Sequence, residues 1–326
     1  MTVQFLLGNC LTELKKLKKN SVNTCITSPP YYQLRDYSVG NWINGDPNCN
    51  HEKGINRKHL ISDSVVKPKE FYLKKCKTCG AERTDNEIGL EDNYEDYINN
   101  LVIIFDEVKR VLKHDGTLWL NIGDTYKKDK NLYGIPWRLA FALQDLGGWT
   151  LRQDIIWHKT GMPESVKDRC TKAHEYIFLL SKNKNYYFNN EAIKEDCITD
   201  YGVATSPKQI KPQSNIFGSR NNINKYLGSL RKNKRSVWKV NTQPYSELHF
   251  ATFPPKLIEP MILAGSKKND VILDCFAGAG TTGLVAERHN RNSILIELNN
   301  EYIKIAKKRI YDDFPLFNNF ITSSPN

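Results

Sequence analysis

An α/β protein built on a mostly parallel sheet is predicted by three observations. Short apolar runs that suit buried strands alternate with segments whose apolar residues recur at helical spacing. One such run, Val271 to Asp274, passes through a glycine-rich turn directly into an amphipathic segment, the strand–turn–helix unit of doubly wound sheets. At 326 residues the chain is also long enough to bury a full core.

Taken in order, Leu6 to Leu17 reads as a strand, a turn at Gly8-Asn9 and a helix with leucines at helical spacing. Asn9 stands where strand hands over to helix, a usual place for a small-molecule contact. Val22 to Ile26 is a buried strand that runs into Thr27-Ser28-Pro29-Pro30-Tyr31-Tyr32, where two prolines prevent either a ladder or a helix from continuing. Periodicity is lost from Gly40 to Gly89. It returns in a helix over Tyr94–Leu112, with Tyr97, Leu101, Ile104, Val108 and Leu112 on one face. Asp115-Gly116 turns into a strand over Thr117–Ile122, and Gly134-Ile135-Pro136 opens a helix to Leu146. Strands are expected at Leu151–Trp157 and Glu175–Ser181, a helix at Lys256–Ala264, the glycine-turn helix up to His289, a strand at Ser293–Ile296 and a closing helix at Glu301–Tyr311.

Composition narrows the function classes. There is no apolar run of 18 residues and no signal-like N-terminus, which predicts a cytoplasmic protein with no membrane partner. Eight cysteines in such a setting are expected as thiols or metal ligands. The net charge of +11 is unevenly spread: Tyr201 to Ser246 holds no Asp or Glu. That stretch includes Lys208, Lys211, Arg220, Lys225, Arg231, Lys232, Lys234, Arg235 and Lys239, interleaved with Phe217, Tyr226, Trp238 and Tyr245. Cations for phosphates and planar groups for bases point to a nucleic acid partner.

Three motifs carry chemistry. The turn at Ser28-Pro29-Pro30-Tyr31 offers a hydroxyl, a carbonyl with no amide on the next residue, and an aromatic face. Together they suit a flat heterocyclic amine. Cys49-x-His51 and Cys76-x-x-Cys79-Gly80, with 24 residues between them, form two close pairs of soft ligands, the arrangement of a structural tetrahedral zinc site; His59 is the reserve ligand. Gly278-x-Gly280-x-x-Gly283 formally matches a dinucleotide fingerprint, with Glu297 at the end of the next strand to take ribose hydroxyls. The turn after Asp274 is wider than a pyrophosphate needs, however, and an aspartate there repels phosphate. A cationic ligand such as S-adenosylmethionine fits better.

Thr-Ser-Pro-Pro-Tyr-Tyr, together with Asp274-x-Phe276-x-Gly278-x-Gly280 and the carboxylate at Glu297, resembles the amino-methyltransferases of DNA. The order of tetrad, basic stretch and cofactor motif is similar to the β group of that family. The likeness extends over nearly the whole chain, including Gly8–Leu17, Asp115–Asp124, Lys172–Lys182, Arg235–Trp238 and His249–Pro260. The Cys49–Cys79 insertion resembles one found in some members. This resemblance implies a Rossmann-like, circularly permuted S-adenosylmethionine-dependent methyltransferase fold with helices on both faces of the sheet. The implied division is 1–39 with 90–200 as the catalytic half, 40–89 as a zinc-stapled insertion, 201–246 as an irregular target-recognition region, and 247–326 as the cofactor half.

The same resemblance implies roles for residues. Ser28, Pro29, Pro30 and Tyr31 would hold the target base, with Tyr32 as a second wall. Phe276, Gly278, Gly280, Thr281 and Thr282 would wrap S-adenosylmethionine beside Asp274, and Glu297 and Leu298 would hold its ribose. Phe253 and Pro254 would flank its methionine end, and Asn9 its adenine. Lys208, Lys211, Arg220, Arg231, Lys232, Lys234 and Arg235 are the expected contacts to double-stranded DNA. A cognate restriction endonuclease is the partner the resemblance admits. The expected reaction is methylation of cytosine N4, favoured by Ser28 in the tetrad, with adenine N6 as the alternative. A zinc-stabilised DNA-binding protein without catalysis, an RNA or small-molecule methyltransferase and a dinucleotide-dependent oxidoreductase are the rival classes.

Overall fold

The computed structural model describes residues 1–34, 41–51, 53–55, 70–72, 75–84, 87–127, 129–161, 164–196, 231–242, 253–314 and 319–323. Nine strands form one sheet. In chain order they are β1 (Thr2–Leu7), β2 (Val22–Thr27), β7 (Leu112–Ile122), β8 (Thr150–His158), β9 (His174–Ser181), β12 (Val237–Lys239), β13 (Val271–Asp274), β14 (Asn292–Glu297) and β15 (Asn319–Ser323). Their order across the sheet is β12-β8-β9-β7-β2-β13-β14-β1-β15. Only the two pairings of β9 are antiparallel; the other strands run parallel, so their carboxyl ends share one edge. Because β9 is reversed, its first residues lie at that same edge.

Among the described residues, six helices cover the sheet: α1 (Cys10–Lys16), α2 (Tyr94–Val111), α3 (Ile135–Asp145), α4 (Pro255–Gly265), α5 (Thr281–Arg288) and α6 (Asn300–Asp313). The first three bury one face of the sheet, with Leu14, Leu101, Phe105, Val108 and Leu139 against Leu118, Leu120, Leu273 and Ile296. The last three cover the opposite face, with Leu257, Ile262 and Val285 against Ile26, Trp119 and Ile272, and Leu284, Ile303 and Ala306 against Phe5 and Leu295. Strand alternation places Ile296 and Leu295 on opposite sides, as a two-sided parallel sheet demands. No helix among the described residues is long and apolar enough to cross a membrane.

Within 40–89, where the sequence showed no periodicity, the backbone forms two short antiparallel pairs. They are β3 (Asn41–Ile43) with β6 (Glu82–Thr84), and β4 (Lys53–Ile55) with β5 (Glu70–Tyr72). Their local pairing needs no apolar alternation, which is why the sequence concealed it. A further pair, β10 (Glu195–Asp196) and β11 (Arg231–Lys232), closes the base of 197–230.

The basic stretch differs from the expectation at its C-terminal end. Val237–Lys239 joins the sheet beside β8 in parallel register, Trp238 opposite Trp157. Trp238 is buried against Trp119 and donates its indole N–H to the Arg235 carbonyl. It is therefore a core residue and no base-stacking platform. An aromatic in a cationic stretch reads as a nucleic-acid contact until its strand is seen to close a sheet edge. We expect Trp238→Ala to destabilise the protein by about 3–5 kcal/mol, as for other buried tryptophans, while DNA affinity below the unfolding range stays unchanged. Thermal denaturation and a mobility-shift titration measure the two.

The candidate active site and a cysteine–histidine cluster

The site lies at the common edge of the sheet, where parallel α/β sheets place ligands outside the carboxyl ends of their strands. Seven strands deliver it: Asn9 follows β1, Ser28 follows β2, Asn121 is next to last in β7, Lys159 follows β8, Glu175 is second in β9, Gly278 follows β13 and Glu297 ends β14.

Thr27, the last residue of β2, is buried, and Ser28 beyond it is half-buried. Pro29 is buried, and the Pro30 carbonyl accepts the Tyr97 hydroxyl at 2.7 Å. Tyr31 is half-buried, and its ring lies close to the main chain at Gly123, where a Cβ would come within 2.6 Å of Cε2. Only glycine leaves the ring that room. The Tyr31 hydroxyl donates to Glu175 Oε2 at 2.6 Å, and burial followed by the charge of Glu175 raises it well above its ordinary value. Asn121 Nδ2 faces Ser28 Oγ (3.3 Å), Tyr31 Oη (2.7 Å) and Glu175 Oε2 (3.0 Å). Lys159 pairs with the other oxygen of Glu175 and lies over the Trp157 ring. Tyr32, expected as a second wall, is instead 2% exposed and packed against Tyr97 and Tyr133. The turn directs consecutive tyrosines to opposite sides, one to the site and one to the core.

On the β13 side, Asp274 is fully buried. Its Oδ1 accepts from Thr27 Oγ1 (2.7 Å) and the Phe276 amide (3.1 Å), and its Oδ2 from Thr282 Oγ1 (2.7 Å). Burial raises it to about 6, against the lowering by those hydrogen bonds. The expectation that Asp274 faces a cationic ligand is corrected: both oxygens turn inward and bind the two halves of the site together. The hydroxyls of Thr281 and Thr282 turn inward as well, Thr281 accepting from Arg309 at 2.8 Å, so only their backbone remains for a ligand.

Gly278 has φ +49°, and a Cβ there would meet nothing within 4 Å, so the turn opens onto free space. Gly280, by contrast, is tight against α6, where a Cβ would come within 2.7 Å of Ala306 Cβ. Glu297 Oε2 accepts the Gly278 amide and Oε1 the Asn299 amide, both at 2.8 Å, and burial raises this carboxyl above its usual value. Leu298 is exposed and Phe276 half-buried. Phe253 is half-buried and Pro254 buried at the start of α4. Asn9 Oδ1 caps α1 by accepting from the Leu11 and Thr12 amides, which leaves its amide nitrogen as the group it can offer.

In the insertion, Cys49, His51, Cys76 and Cys79 bring their ligand atoms within 4.8 Å of one another. Cys49 and Cys76 sulfurs are 3.8 Å apart, and Cys79 Sγ is 3.6 Å from His51 Nδ1. Gly80, at φ +75°, lets the chain turn so that its amide reaches the Cys76 carbonyl at 3.0 Å. The amide of Cys79, then His51, lowers the Cys76 thiol to about 6. Trp42 stacks on His51 with ring centroids 4.3 Å apart and so orients the imidazole. His59 lies outside the described residues.

Of the expected DNA contacts, Lys208, Lys211 and Arg220 lie outside the described residues, as do Lys225, Phe217, Tyr226 and Tyr245. Arg231 donates to the Lys194 carbonyl at 2.8 Å, and Lys232 sits beside it in β11, half-buried. Lys234 pairs with Glu195 at 3.1 Å and Arg235 approaches the same carboxylate at 4.0 Å. These four cations thus cluster at the base of 197–230. Lys234 and Arg235 are partly neutralised by an acid that precedes the acid-free stretch. Asn121, Glu175 and Lys159 were missed as site residues. Their signal in the sequence is position, since each stands at or just beyond a strand end on the ligand edge.

The family profile described as DNA methylase, covering the N6 and N4 enzymes, matches residues 22–308. Type II methyltransferase M.SmaI of Serratia marcescens is 38% identical over 94% of this chain and 90% of its own length. Type II methyltransferase M.Cfr9I of Citrobacter freundii is 37% identical over 93% and 86%. Among solved structures, PvuII DNA methyltransferase (cytosine-N4-specific) superposes with a TM-score of 0.61 at 17% identity, covering 98% of this chain and 95% of that one. A putative DNA modification methylase of Thermus thermophilus, complexed with S-adenosyl-L-methionine, superposes at 0.58 with 20% identity, covering 98% and 100%. The fold is that of DNA amino-methyltransferases. The chain belongs to the N6/N4 DNA methylase family.

The buried Asp274 makes stability depend on pH in a stated direction. Its folded value lies above its unfolded one, 3.8, so the folded state holds the extra proton between 3.8 and about 6. Stability is therefore lost as the pH rises through that window. In Asp274→Asn this loss should vanish: relative to wild type, the variant gains on the order of 3 kcal/mol between about pH 4 and about pH 7, on top of a pH-independent cost for the altered hydrogen bonds. Urea denaturation across that range reads the difference.

Proposed function

We propose that the protein is a site-specific DNA methyltransferase of a restriction-modification system that methylates the exocyclic N4 amine of cytosine, using S-adenosylmethionine. The observation that carries this reading is the join made by Asp274. It ties Thr27, the residue before Ser28, to the strand end that leads into the Gly278 turn, where Glu297 accepts the Gly278 amide. An acceptor pair for an amine thereby adjoins a cradle for a nucleoside.

The residues present fit S-adenosylmethionine. Gly278 leaves room where any side chain would intrude, Glu297 offers a carboxylate at the strand end for ribose hydroxyls, and Phe276 offers an apolar face. Asn9, Phe253, Pro254 and Leu298 complete the rim. When bound, this cofactor supplies an electrophilic methyl group. The chain's own residues do the rest. A target base inside a duplex is out of reach and has to be flipped out, at a cost of a few kcal/mol. The face of Tyr31 receives it. Ser28 Oγ and the Pro29 carbonyl accept the two amino hydrogens, which favours a pyramidal nitrogen and stabilises its developing positive charge. Positioning supplies most of the acceleration. Ser28 at the head of the tetrad favours cytosine over adenine.

Methylation of mixed-sequence duplex DNA followed by nucleoside mass spectrometry tests the reading. N4-methylcytosine is the expected product. N6-methyladenine would keep the chemistry and change the base, and no methylated nucleoside would leave a DNA-binding protein without catalysis. In the same assay Ser28→Ala should lower kcat by about 10²–10³-fold, the usual loss on removing one such hydrogen-bonding group. Cofactor affinity by calorimetry should hold, because the cofactor cradle is built mainly from the other half of the chain, with Asn9 well apart from Ser28 in sequence.

The insertion is proposed to hold one structural zinc ion. With Zn–S near 2.3 Å and Zn–N near 2.0–2.1 Å, tetrahedral geometry requires S···S of about 3.8 Å and S···N of about 3.6 Å, which are the separations found for Cys49–Cys76 and Cys79–His51. Metal analysis of protein purified without chelator should give one zinc per chain, and Cys76→Ser should abolish it and lower the thermal midpoint. A metal-free wild type would retire the site.

A further inference from the structure

We infer that Glu175 is the positioning residue of the site: anchored by Lys159, it holds the Tyr31 ring in the orientation on which the target base stacks. The inference rests on the reading of Tyr31 as that stacking wall. It adds a carboxylate from a strand remote in sequence, 144 residues away, to the constellation around the tetrad.

Several observations converge on this carboxylate. Its Oε2 receives both the Tyr31 hydroxyl, at 2.6 Å, and Asn121 Nδ2, at 3.0 Å, and its Oε1 receives Lys159. The Lys159 and Glu175 side chains are only 10% and 15% exposed, so this is a shielded pair rather than a surface ion pair. The sheet explains why these groups meet. β9 runs opposite to its neighbours and so presents its second residue at the ligand edge, while β8 brings Lys159 there one residue past its end. Asn121 arrives on β7 beside them, and its Nδ2 also faces Ser28 Oγ. One network therefore reaches both the hydroxyl and the aromatic wall of the tetrad.

Two physical consequences follow. A tyrosine ring that rests on the Gly123 main chain can still turn about its side-chain bonds; the hydroxyl tether removes that freedom. A phenol donating a short hydrogen bond to a carboxylate is also polarised toward phenolate, and the face of its ring becomes more electron-rich. Methyl transfer moves positive charge onto the stacked base, and an electron-rich face stabilises a cation above it. A plain strand-to-strand staple between Lys159 and Glu175 would do neither.

The test uses the full-length protein and a duplex carrying its mapped site, with Glu175→Gln, Tyr31→Phe and the double variant. Glu175→Gln keeps the shape and removes the charge. Tyr31→Phe keeps the Lys159–Glu175 pair and removes only the tether, so it remains informative should the first variant fold poorly. Each single variant should lower kcat about tenfold, the scale of one charge-assisted hydrogen bond, with KM for DNA and cofactor affinity unmoved. The double variant should be no slower than the slower single, because both cut the same link. A Tyr31→Phe or folded Glu175→Gln enzyme with wild-type kcat would overturn the inference, as would losses that multiply in the double variant. Wild type is measured alongside: an inactive wild type overturns the methyltransferase reading and this one with it, whereas an active wild type beside an indifferent Glu175→Gln overturns this one alone.

Discussion

The carboxylate of Asp274 is the constraint on which the site depends. It joins residues 247 positions apart in the chain, fastening Thr27 at the end of β2 to the turn that follows β13. Thr27 immediately precedes Ser28, so the position of the tetrad is set from the opposite half of the molecule. The backbone alone holds these strands together by a short register, Ile272 with Thr24 and Leu273 with Cys25. Burying a charge there is unfavourable, and three hydrogen bonds offset part of the cost while leaving the group raised to about 6. Such a group is kept for what it positions. With Thr282 on its second oxygen, it also fixes the first turn of α5 and thereby the glycine turn beneath it.

Much of this was legible in the sequence, and the parts that were not share a cause. Strand and helix positions followed from periodicity, because each is a local property. The Ser28–Tyr31 and Asp274–Gly280 turns could be placed at strand ends for the same reason. What periodicity could not give was the inward or outward sense of side chains within a turn. Tyr31 and Tyr32, or Thr281 and Asp274, look equally available until the backbone direction is known. Nor could it give contacts that exist only because of topology. Glu175 meets Tyr31 because β9 is reversed, and Trp238 is core because β12 closes the sheet beyond β8. The expectation of a wholly separate basic region failed at that end because composition does not report strand pairing.

The two sides of the site follow different physical rules. On the β13–β14 side the polar groups are mostly satisfied by the protein itself: Glu297 by two amides, Asp274 by three donors, Asn9 by the amides it caps. A cradle so organised is formed before any ligand arrives, which lowers the ordering cost of binding. On the β2–β7–β9 side the network of Ser28, Asn121, Tyr31, Glu175 and Lys159 is charged, and Asn121 Oδ1 is buried without a partner among the described residues. An unsatisfied acceptor in a shielded setting is a standing cost. It lies on the residue whose amide nitrogen faces Ser28, so the site's uncompensated polarity falls on this side and not on the β13–β14 side.

The insertion belongs to this second side more closely than its composition suggests. It leaves the chain directly after the tetrad and returns just before α2, and its two ends are tied at the site. The Gln33 amide donates to the Gly89 carbonyl at 2.7 Å, and the Gly89 amide to Glu91 at 2.8 Å. Gly89, at φ +101°, lies so close that a Cβ would come within 3.2 Å of the Tyr31 carbonyl. A loop of this length, left loose, would feed its motion into that join. Four ligand atoms gathered within 4.8 Å shorten the effective loop instead. Under the proposed zinc and stacking roles, the cluster would steady the turn from its Gly89 end, and Glu175 from the Tyr31 hydroxyl.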